Sequence, residues 1–101
     1  MSAVVGIDVG GTKVAATLLG PGGMGEHRQQ PTRLDSGEEL IDQLVEIVGE
    51  AAGDASFEAV GIGVPSIVRF ETGEIAASTN IPLKGVPLRK VLGERLGVPV
   101  F

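Results

Sequence analysis

The chain has no cysteine, tryptophan or tyrosine, and only three phenylalanines among its 101 residues. Without cysteine, disulfides and thiolate metal ligands are excluded within this stretch, and the composition fits a reducing compartment. Basic residues are also few, with eight Lys and Arg against thirteen Asp and Glu and a net charge of −5. Because nucleic-acid binding requires clustered cations that neutralise phosphates, this composition argues against it.

Long apolar segments are missing as well. The sequence shows no uncharged stretch long enough to cross a bilayer and no signal peptide, so it predicts a cytoplasmic protein without a membrane partner. Apolar side chains still make up 43% of the chain, which is enough for the core of one ordinary domain. With so few aromatic rings, we expect an aliphatic core of the α/β type. Sixteen glycines punctuate the apolar runs, a pattern that predicts tight turns rather than disorder.

Two apolar, β-branched runs flank Gly10-Gly11-Thr12 near the start of the chain. Runs of this composition predict strands, and two glycines between them predict a tight hairpin. Glycine allows the backbone to approach a ligand closely, and clustered backbone N–H groups attract anions such as phosphate. Lys13 and the hydroxyl of Thr12 add a cation and a further donor. The local prediction is therefore a hairpin that binds phosphate.

Asp8 precedes this turn within an otherwise apolar strand. Burial of a carboxylate there is costly without a partner, and a hydrated Mg²⁺ beside a nucleotide phosphate would supply one. The residues alone leave a second interpretation open, in which Asp8 and Thr12 only satisfy each other and the backbone of an ordinary Gly-Gly hairpin. A Walker loop is excluded, because Thr12-Lys13 inverts the required order and the next segment is a strand rather than a helix.

The middle of the chain predicts a loop, a third strand and a helix. Residues 20–25 match Gly-x-Gly-x-x-Gly, but polar residues 26–34 follow, so we predict a solvent loop and a strand with His27 on its surface, and no dinucleotide site. Ser36 and Glu39 form a capping box that begins an amphipathic helix ending near Gly53. The polar face predicted for this helix consists of Glu38, Glu39, Asp42, Gln43, Glu46 and Glu50.

The second half predicts further strands and a second helix. Residues 57–64 are apolar almost throughout, which predicts a central strand buried on both faces, with Gly61 and Gly63 open to a close neighbour on one of them. A hairpin is predicted around residues 71–73, a second helix from Pro87 to Gly97 and a last strand over 98–101. Successive strands followed by alternation predict a mixed sheet with an antiparallel meander of the first three strands, parallel additions and flanking helices.

Several separated segments resemble one family. The first resembles the first phosphate motif of the sugar kinase/Hsp70/actin superfamily, in the form used by ROK-family sugar kinases. Found together and in this order, the segments identify the chain as a member of that family, with most resemblance to bacterial glucokinases. The matching segments are Gly6–Lys13, Gly61–Pro65, Ser78–Leu83, Val86–Leu88 and Leu96–Val100.

The resemblance implies a ribonuclease-H-like α/β fold and a phosphoryl transfer to a sugar. The donor would be ATP with Mg²⁺, or polyphosphate as in some members, and the expected reaction is the conversion of glucose to glucose 6-phosphate. Asp8 matches the acid that helps to place the metal, through a water molecule. Ser66 stands where the family usually has glycine. The residues that match the phosphate hairpin are Gly10, Gly11, Thr12 and Lys13, and those that match the sugar-side loops are Pro65, Ser66, Thr79 and Asn80.

The resemblance also implies that residues 1–101 are the amino-terminal half-domain of a much longer kinase. The family's catalytic aspartate, its zinc motif and its adenosine site are all expected beyond Phe101, so no catalytic residue is expected within this chain. We therefore expect the chain to be inactive by itself and to self-associate through its uncovered apolar surface, and we expect the whole protein to be a homo-oligomer.

Two other functions are compatible with these motifs. One is a sugar-sensing transcriptional repressor of the same family, which would carry a helix-turn-helix before this fold and often has a degraded phosphate motif. In this sequence the phosphate strand begins near residue 3 and the motif is intact. The other is a non-enzymatic nucleotide switch of the actin/Hsp70 type, against which the sugar-side segment 78–82 argues.

Overall fold

A computed structural model describes residues 3–25, 27–63, 66–68, 75–78, 82–83 and 86–101. Among these residues no helix is both long and apolar enough to span a membrane. The elements in chain order are β1 (Val4–Val9), β2 (Lys13–Gly20), β3 (Gly23–Met24), β4 (Arg28–Pro31), α1 (Gly37–Ala52), β5 (Ala59–Gly63), β6 (Ser66–Val68), β7 (Ile75–Ser78) and α2 (Leu88–Leu96).

The main sheet is mixed and has the strand order β3-β2-β1-β5, with β4 also paired with β2. β1 runs antiparallel to β2 and parallel to β5. Beyond β5, Val100 forms a parallel bridge with Val60, and the N–H of Phe101 donates to the carbonyl of Val60 at 2.8 Å. The predicted fold class, an antiparallel meander with parallel additions and flanking helices, is therefore confirmed.

The predicted third strand forms as β4, and a further short strand, β3, forms within the predicted loop; both lie along one edge of β2. β3 pairs with Leu19 and Gly20, whereas β4 pairs with the segment 13–16, and both pairings are antiparallel. The expectation that residues 20–25 are only a solvent loop is wrong, because the chain returns to β2 directly after a turn at residues 21–22. Gly23 makes this return with a φ of 106°, a backbone conformation that side-chain-bearing residues rarely adopt.

Both helices begin and end close to the predicted residues. The hydroxyl of Ser36 accepts a hydrogen bond from the N–H of Glu39 at 3.1 Å, as the capping box predicts. Gly53 and Gly97 end the two helices with φ values of 57° and 73°. Pro87 precedes α2 as its N-cap rather than being its first helical residue, a difference within the ordinary variation of helix boundaries.

The hydrophobic core lies between one face of the sheet and the two helices. Alternate residues of β1 and β2 point into it, as the period of two in a strand requires. Removal of these aliphatic side chains from water is the main stabilising term of such a fold. The buried core residues of the sheet are Val5, Ile7, Val9, Val14, Ala16 and Val60, and those of the helices include Leu40, Leu44, Ile47, Val48, Leu88 and Leu92.

The second face of the sheet is open across the described part of the chain. In β5 Val60 is buried, but Gly61 and Gly63 are exposed, so the prediction of a strand buried on both faces is wrong for these residues. The physical reason is that α1 and α2 both pack on the other face. β6 and β7 pair antiparallel in a separate sheet, as the predicted hairpin requires, while its turn at 71–73 lies outside the described residues.

Candidate functional site

The turn between β1 and β2 is tight because its two ends approach closely. The N–H of Gly10 donates to the carbonyl oxygen of Lys13 at 2.8 Å. A Cβ added to Gly10 would lie 3.0 Å from that same oxygen, a separation shorter than real Cβ contacts normally show. Since the φ of Gly10 is not positive, glycine is required here for the close approach of two backbone segments and not for a special backbone conformation.

Two carbonyl groups of this turn, those of Gly10 and Thr12, accept hydrogen bonds, whereas two of its amides have no acceptor among the described residues. Thr32 donates from its hydroxyl to Gly10 O at 2.8 Å and from its backbone N–H to Thr12 O at 3.0 Å. Within the described ranges, the N–H groups of Gly11 and Thr12 have no hydrogen-bond acceptor. These two amides are therefore available to an anion, as the predicted phosphate hairpin requires.

Asp8 and Lys13 lie on the same face of the sheet, at its turn end. Asp8 is directly opposite Ala15 in the register, and Lys13 precedes Ala15 by two residues, so the side chains of Asp8 and Lys13 share a face. Both are exposed, and neither has a hydrogen-bond or ion-pair partner in the part of the chain that the structure describes. An acid and a cation thus share the open face beside the two amides of the turn that have no acceptor among the described residues.

The exposure of Asp8 corrects one step of the sequence argument. An acid within an apolar strand was expected to be buried and to need a partner, but strand alternation places Asp8 on the uncovered face, where water solvates its charge. Nor does the structure support the alternative hairpin interpretation, since no bond joins Asp8 to Thr12 among the described contacts. The metal-binding role predicted for Asp8 consequently depends on its position beside the turn and not on the cost of its burial.

The donor set around Asp8 fits a cation that brings most of its own ligands. Among the described residues no cluster of three or more His, Cys, Asp or Glu side chains could hold a metal ion. Mg²⁺ does not need such a cage, because it commonly binds one or two carboxylates, keeps several waters and completes its shell with substrate phosphates. A single exposed carboxylate next to unoccupied amides fits Mg²⁺ in this mode, with Asp8 as the residue that would hold it.

A shallow depression of about 420 Å³ borders the turn on the β4 side. Thr12 and Lys13 form one wall, and the segment 29–31 of β4 forms the other. The depression is continuous with the exposed side chains of Thr12 and Lys13. A phosphate group bound at the turn would therefore remain accessible from solvent in this part of the molecule.

A second shallow cavity, of about 340 Å³, lies over the open face of the sheet. Gly6 and Gly61 are opposite each other in β1 and β5 and form part of its floor. A Cβ on either residue would meet nothing within 4 Å, whereas a Cβ on Gly63 would lie 4.0 Å from Oδ1 of Asp8. Of the two glycines where a close neighbour was predicted, Gly63 has Asp8 beside it and Gly61 faces open space.

Most of the predicted sugar-side residues lie outside the described part of the chain. Pro65, Thr79 and Asn80 are in this group, and their roles stay predictions. Ser66 is the first residue of β6 and pairs with Ser78 of β7. The described ends of the two predicted sugar-side segments are therefore adjacent.

Two residues near the turn were missed in the sequence analysis. Thr32 donates hydrogen bonds to the turn, and Gln43 bonds to the residues on both sides of Thr32. Gln43 was assigned to the polar face of α1, but it is 1% exposed and contacts the segment next to β4. Its position held a signal that could have found it. Residue 43 lies three positions after Leu40 and four before Ile47, so helical spacing places it on the apolar face of α1.

The fold and the turn together define the class of the protein, a domain of the actin-like α/β type with a glycine hairpin between its first two strands. A family model described as "ROK family" matches residues 4–101. The chain belongs to the ROK family, as its motifs predict.

Named relatives agree with this assignment. N-acetyl-D-glucosamine kinase of Escherichia coli O7:K1 (strain IAI39 / ExPEC) is 37% identical over 95 residues, which cover 90% of this chain and 31% of that protein. The ROK hexokinase from Thermus thermophilus superposes with a TM-score of 0.89 at 35% identity, over 98% of this chain and 34% of that one. A ROK family glucokinase from Streptomyces griseus, solved with glucose and AMPPNP, gives 0.88 at 29% identity, over 97% and 31%.

These matches limit what can be transferred to this chain. The chain spans about a third of the length of the relatives it matches. The fold is also shared with a ROK family transcriptional regulator, a homolog of the E. coli MLC protein, with a TM-score of 0.83 at 17% identity over 98% of this chain and 26% of that one. Because the kinases are named for different sugars, the narrower assignment to glucokinase stays a prediction.

Proposed function

We propose that the whole protein containing residues 1–101 is a sugar kinase that transfers a phosphoryl group from ATP to a hexose. The observation that carries this proposal is the intact turn, with free amides at Gly11 and Thr12 and with Asp8 and Lys13 on one face beside it. Phosphoryl transfer requires mainly positioning and charge stabilisation around the phosphate. The amides of this turn can position a phosphate, and its charged side chains can stabilise the charge.

Each residue of the turn has a distinct role in the proposal. The amides of Gly11 and Thr12 donate hydrogen bonds to phosphate oxygens, and the ammonium group of Lys13 offsets their negative charge. Asp8 would hold Mg²⁺ through a water molecule, because Mg²⁺ binds few carboxylates and keeps several of its own waters. When bound, Mg²⁺ neutralises charge that develops on the transferred phosphoryl group. We expect the general base that accepts the proton of the sugar hydroxyl to lie outside residues 1–101, as the family resemblance implies.

Glucose is the first substrate we propose, and N-acetyl-D-glucosamine is the second. The first follows from the motifs and from a relative that is named a glucokinase and was solved with glucose. The second has support because a relative with 37% identity is named for N-acetyl-D-glucosamine. Pro65, Ser66, Thr79 and Asn80 are the residues of this chain that we propose on the sugar side of the site.

A sugar-sensing repressor is the alternative within the same family, because the fold is shared with a regulator. A sensor that only binds sugar has no need of unoccupied amides, an acid and a lysine around a glycine turn. The intact turn therefore favours a kinase over a repressor.

A phosphorylation assay on the purified whole protein tests the proposal. Glucose, mannose, N-acetyl-D-glucosamine and N-acetylmannosamine would each be offered with MgATP and, separately, with polyphosphate, and the sugar phosphate would be followed by ³¹P NMR. We expect one hexose to be phosphorylated with a clear preference over the others. Absence of any sugar phosphate with both donors, from a protein that binds a hexose, would contradict the kinase and favour the repressor.

A further inference from the structure

Thr32 contacts two of the three carbonyl groups of the proposed phosphate-binding turn, although it lies outside the motif that defines the turn. Its hydroxyl donates to Gly10 O at 2.8 Å, and its backbone N–H donates to Thr12 O at 3.0 Å. Thr32 directly follows β4 and is half-buried. One residue therefore holds the turn at two points.

The bond from the Thr32 hydroxyl also sets the direction of an amide. In a trans peptide the C=O group and the following N–H group point in opposite directions, and none of the described residues has a cis peptide bond. Gly10 O and Gly11 N–H belong to the same peptide unit. When Thr32 fixes Gly10 O, the N–H of Gly11 must point away from Thr32, toward the side on which an anion would bind.

Thr32 is itself held in place by Gln43, a side chain in the core. Gln43 is 1% exposed, and its amide nitrogen donates to Pro31 O at 2.7 Å and to Gln30 Oε1 at 3.1 Å. Its Oε1 accepts the N–H of Arg33 at 2.9 Å. The residues on both sides of Thr32 are thus tied to α1, and a buried, hydrogen-bonded side chain of this kind keeps a fixed orientation.

We propose that Thr32 is a positioning residue for the phosphate-binding turn and that Gln43 secures it from the core. Thr32 does not touch the substrate; it acts through the N–H of Gly11, which it aims before a phosphate arrives. Amides that are oriented in advance stabilise phosphate charge without reorganisation during the reaction. The identity of the ligand, MgATP, rests on the proposed function, whereas the hydrogen-bond relay does not.

Two substitutions at position 32 isolate the hydroxyl. Thr32→Val has nearly the same shape without the donor, Thr32→Ser keeps the donor, and both keep the backbone bond to Thr12. In the whole protein we expect Thr32→Val to lower kcat/KM for ATP about tenfold, the equivalent of one lost hydrogen bond. The KM for the hexose should stay close to that of the wild type, and Thr32→Ser should recover most of the loss.

Thr17→Val is the matched control, because it removes a hydroxyl from the same sheet. Thr17 Oγ1 lies 3.3 Å from Nδ1 of the exposed His27 and makes no contact with the turn. We expect this variant to keep the wild-type kcat/KM for ATP. The proposal is overturned if Thr32→Val also keeps it, or if Thr32→Val raises the KM values of hexose and ATP equally, since a general structural defect would do the latter.

An NMR measurement separates this proposal from the proposed function. The ¹⁵N resonance of Gly11 reports on hydrogen bonding at Gly10 O, because both belong to one peptide group. We expect this resonance to move in Thr32→Val and to return toward its wild-type position in Thr32→Ser. If the wild type phosphorylates no hexose, the proposed function fails, and the Gly11 resonance alone decides: an unchanged resonance in Thr32→Val overturns the positioning role.

Discussion

The two faces of the main sheet are built from alternating residues of the same strands, yet they differ in almost every property. On the covered face Val5, Ile7 and Val9 are at most 5% exposed. Between them on the open face lie Gly6, which is half-buried, and Asp8, which is exposed. The comparison teaches that the packed core and the residues proposed for phosphate binding are separated by a single residue of register, because a shift by one residue would exchange the two sets of side chains.

The turn at the end of β1 and β2 is where the two faces meet. Asp8 and Lys13 lie on the open face beside two of its amides, while two of its carbonyl groups, those of Gly10 and Thr12, accept hydrogen bonds from Thr32. Gln43, on the covered face, ties the neighbours of Thr32 to α1. Helix α1 on the covered face is therefore linked to the turn by hydrogen bonds as well as by packing.

The largest effect on stability is expected when a buried leucine of the core is replaced by alanine. Leu44 of α1 is fully buried, whereas Leu19 of β2 is 39% exposed on the open face. Leu44→Ala should lower the free energy of unfolding by about 2–5 kcal/mol through lost burial and a cavity, and Leu19→Ala by less than about 1 kcal/mol. Urea unfolding of the whole protein measures both. Equal losses would show that the second face is also packed and would break the comparison.

The largest effect on the reaction is expected at Asp8 on the open face. In the whole protein Asp8→Asn should lower kcat on the order of 10²–10³-fold, as loss of one charge-stabilising contact does, with an unchanged circular dichroism spectrum. Asp54→Asn, in the exposed turn after α1, is the matched control and should keep normal turnover. Near-normal turnover of Asp8→Asn across Mg²⁺ concentrations would remove Asp8 from the metal site.

A smaller loss is expected when the buried amide on the covered face is replaced. Gln43→Leu leaves Arg33 N–H and Pro31 O without their partner, so we expect the free energy of unfolding to fall by about 1–3 kcal/mol. Gln29→Leu is the control, because Gln29 bonds only to His27 at the exposed surface in the described contacts. Thermal or urea unfolding compares the two variants. If Gln43→Leu were as stable as the wild type, the hydrogen bonds of Gln43 would not contribute to stability, and an apolar contact between α1 and β4 would be sufficient.

Effects no larger than this, with opposite signs, are expected at two glycines of α1. A Cβ on Gly37 would lie 2.5 Å from Pro82 O, whereas a Cβ on Gly49 would meet nothing within 4 Å. Gly37→Ala should therefore destabilise the chain by about 1–3 kcal/mol through overpacking, and Gly49→Ala should stabilise it by up to about 1 kcal/mol through helix propensity. Stabilisation by both variants would mean that the backbone at Pro82 moves away from the added methyl group at little cost.

Local signals predicted the elements well because each has a local physical cause. The capping box at Ser36 marked the start of α1, and the glycine turn at residues 10–12 marked the first hairpin. The motifs also predicted the ROK family, which the match over residues 4–101 confirms. The prediction of phosphate binding by Gly10–Lys13 remains a proposal, although the free amides there agree with it.

Predictions about burial were less successful, because burial depends on what packs against an element. Asp8 was expected to be buried and is exposed, whereas Gln43 was expected to be exposed and is buried. Residues 20–25 were expected to form a loop, and two of them form the short strand β3. In each case the local sequence is compatible with both outcomes.

The sequence by itself determined where strands, helices and turns form and which residues could bind phosphate, because hydrophobic period, capping and turn chemistry act over a few residues. Only the tertiary structure decided which face of the sheet the helices cover, and hence that Asp8 and Lys13 remain accessible together. It also decided that Thr32 meets a turn twenty residues earlier in the chain, between Gly10 and Thr12. Contacts of this kind arise when separate elements pack, and no local pattern encodes them.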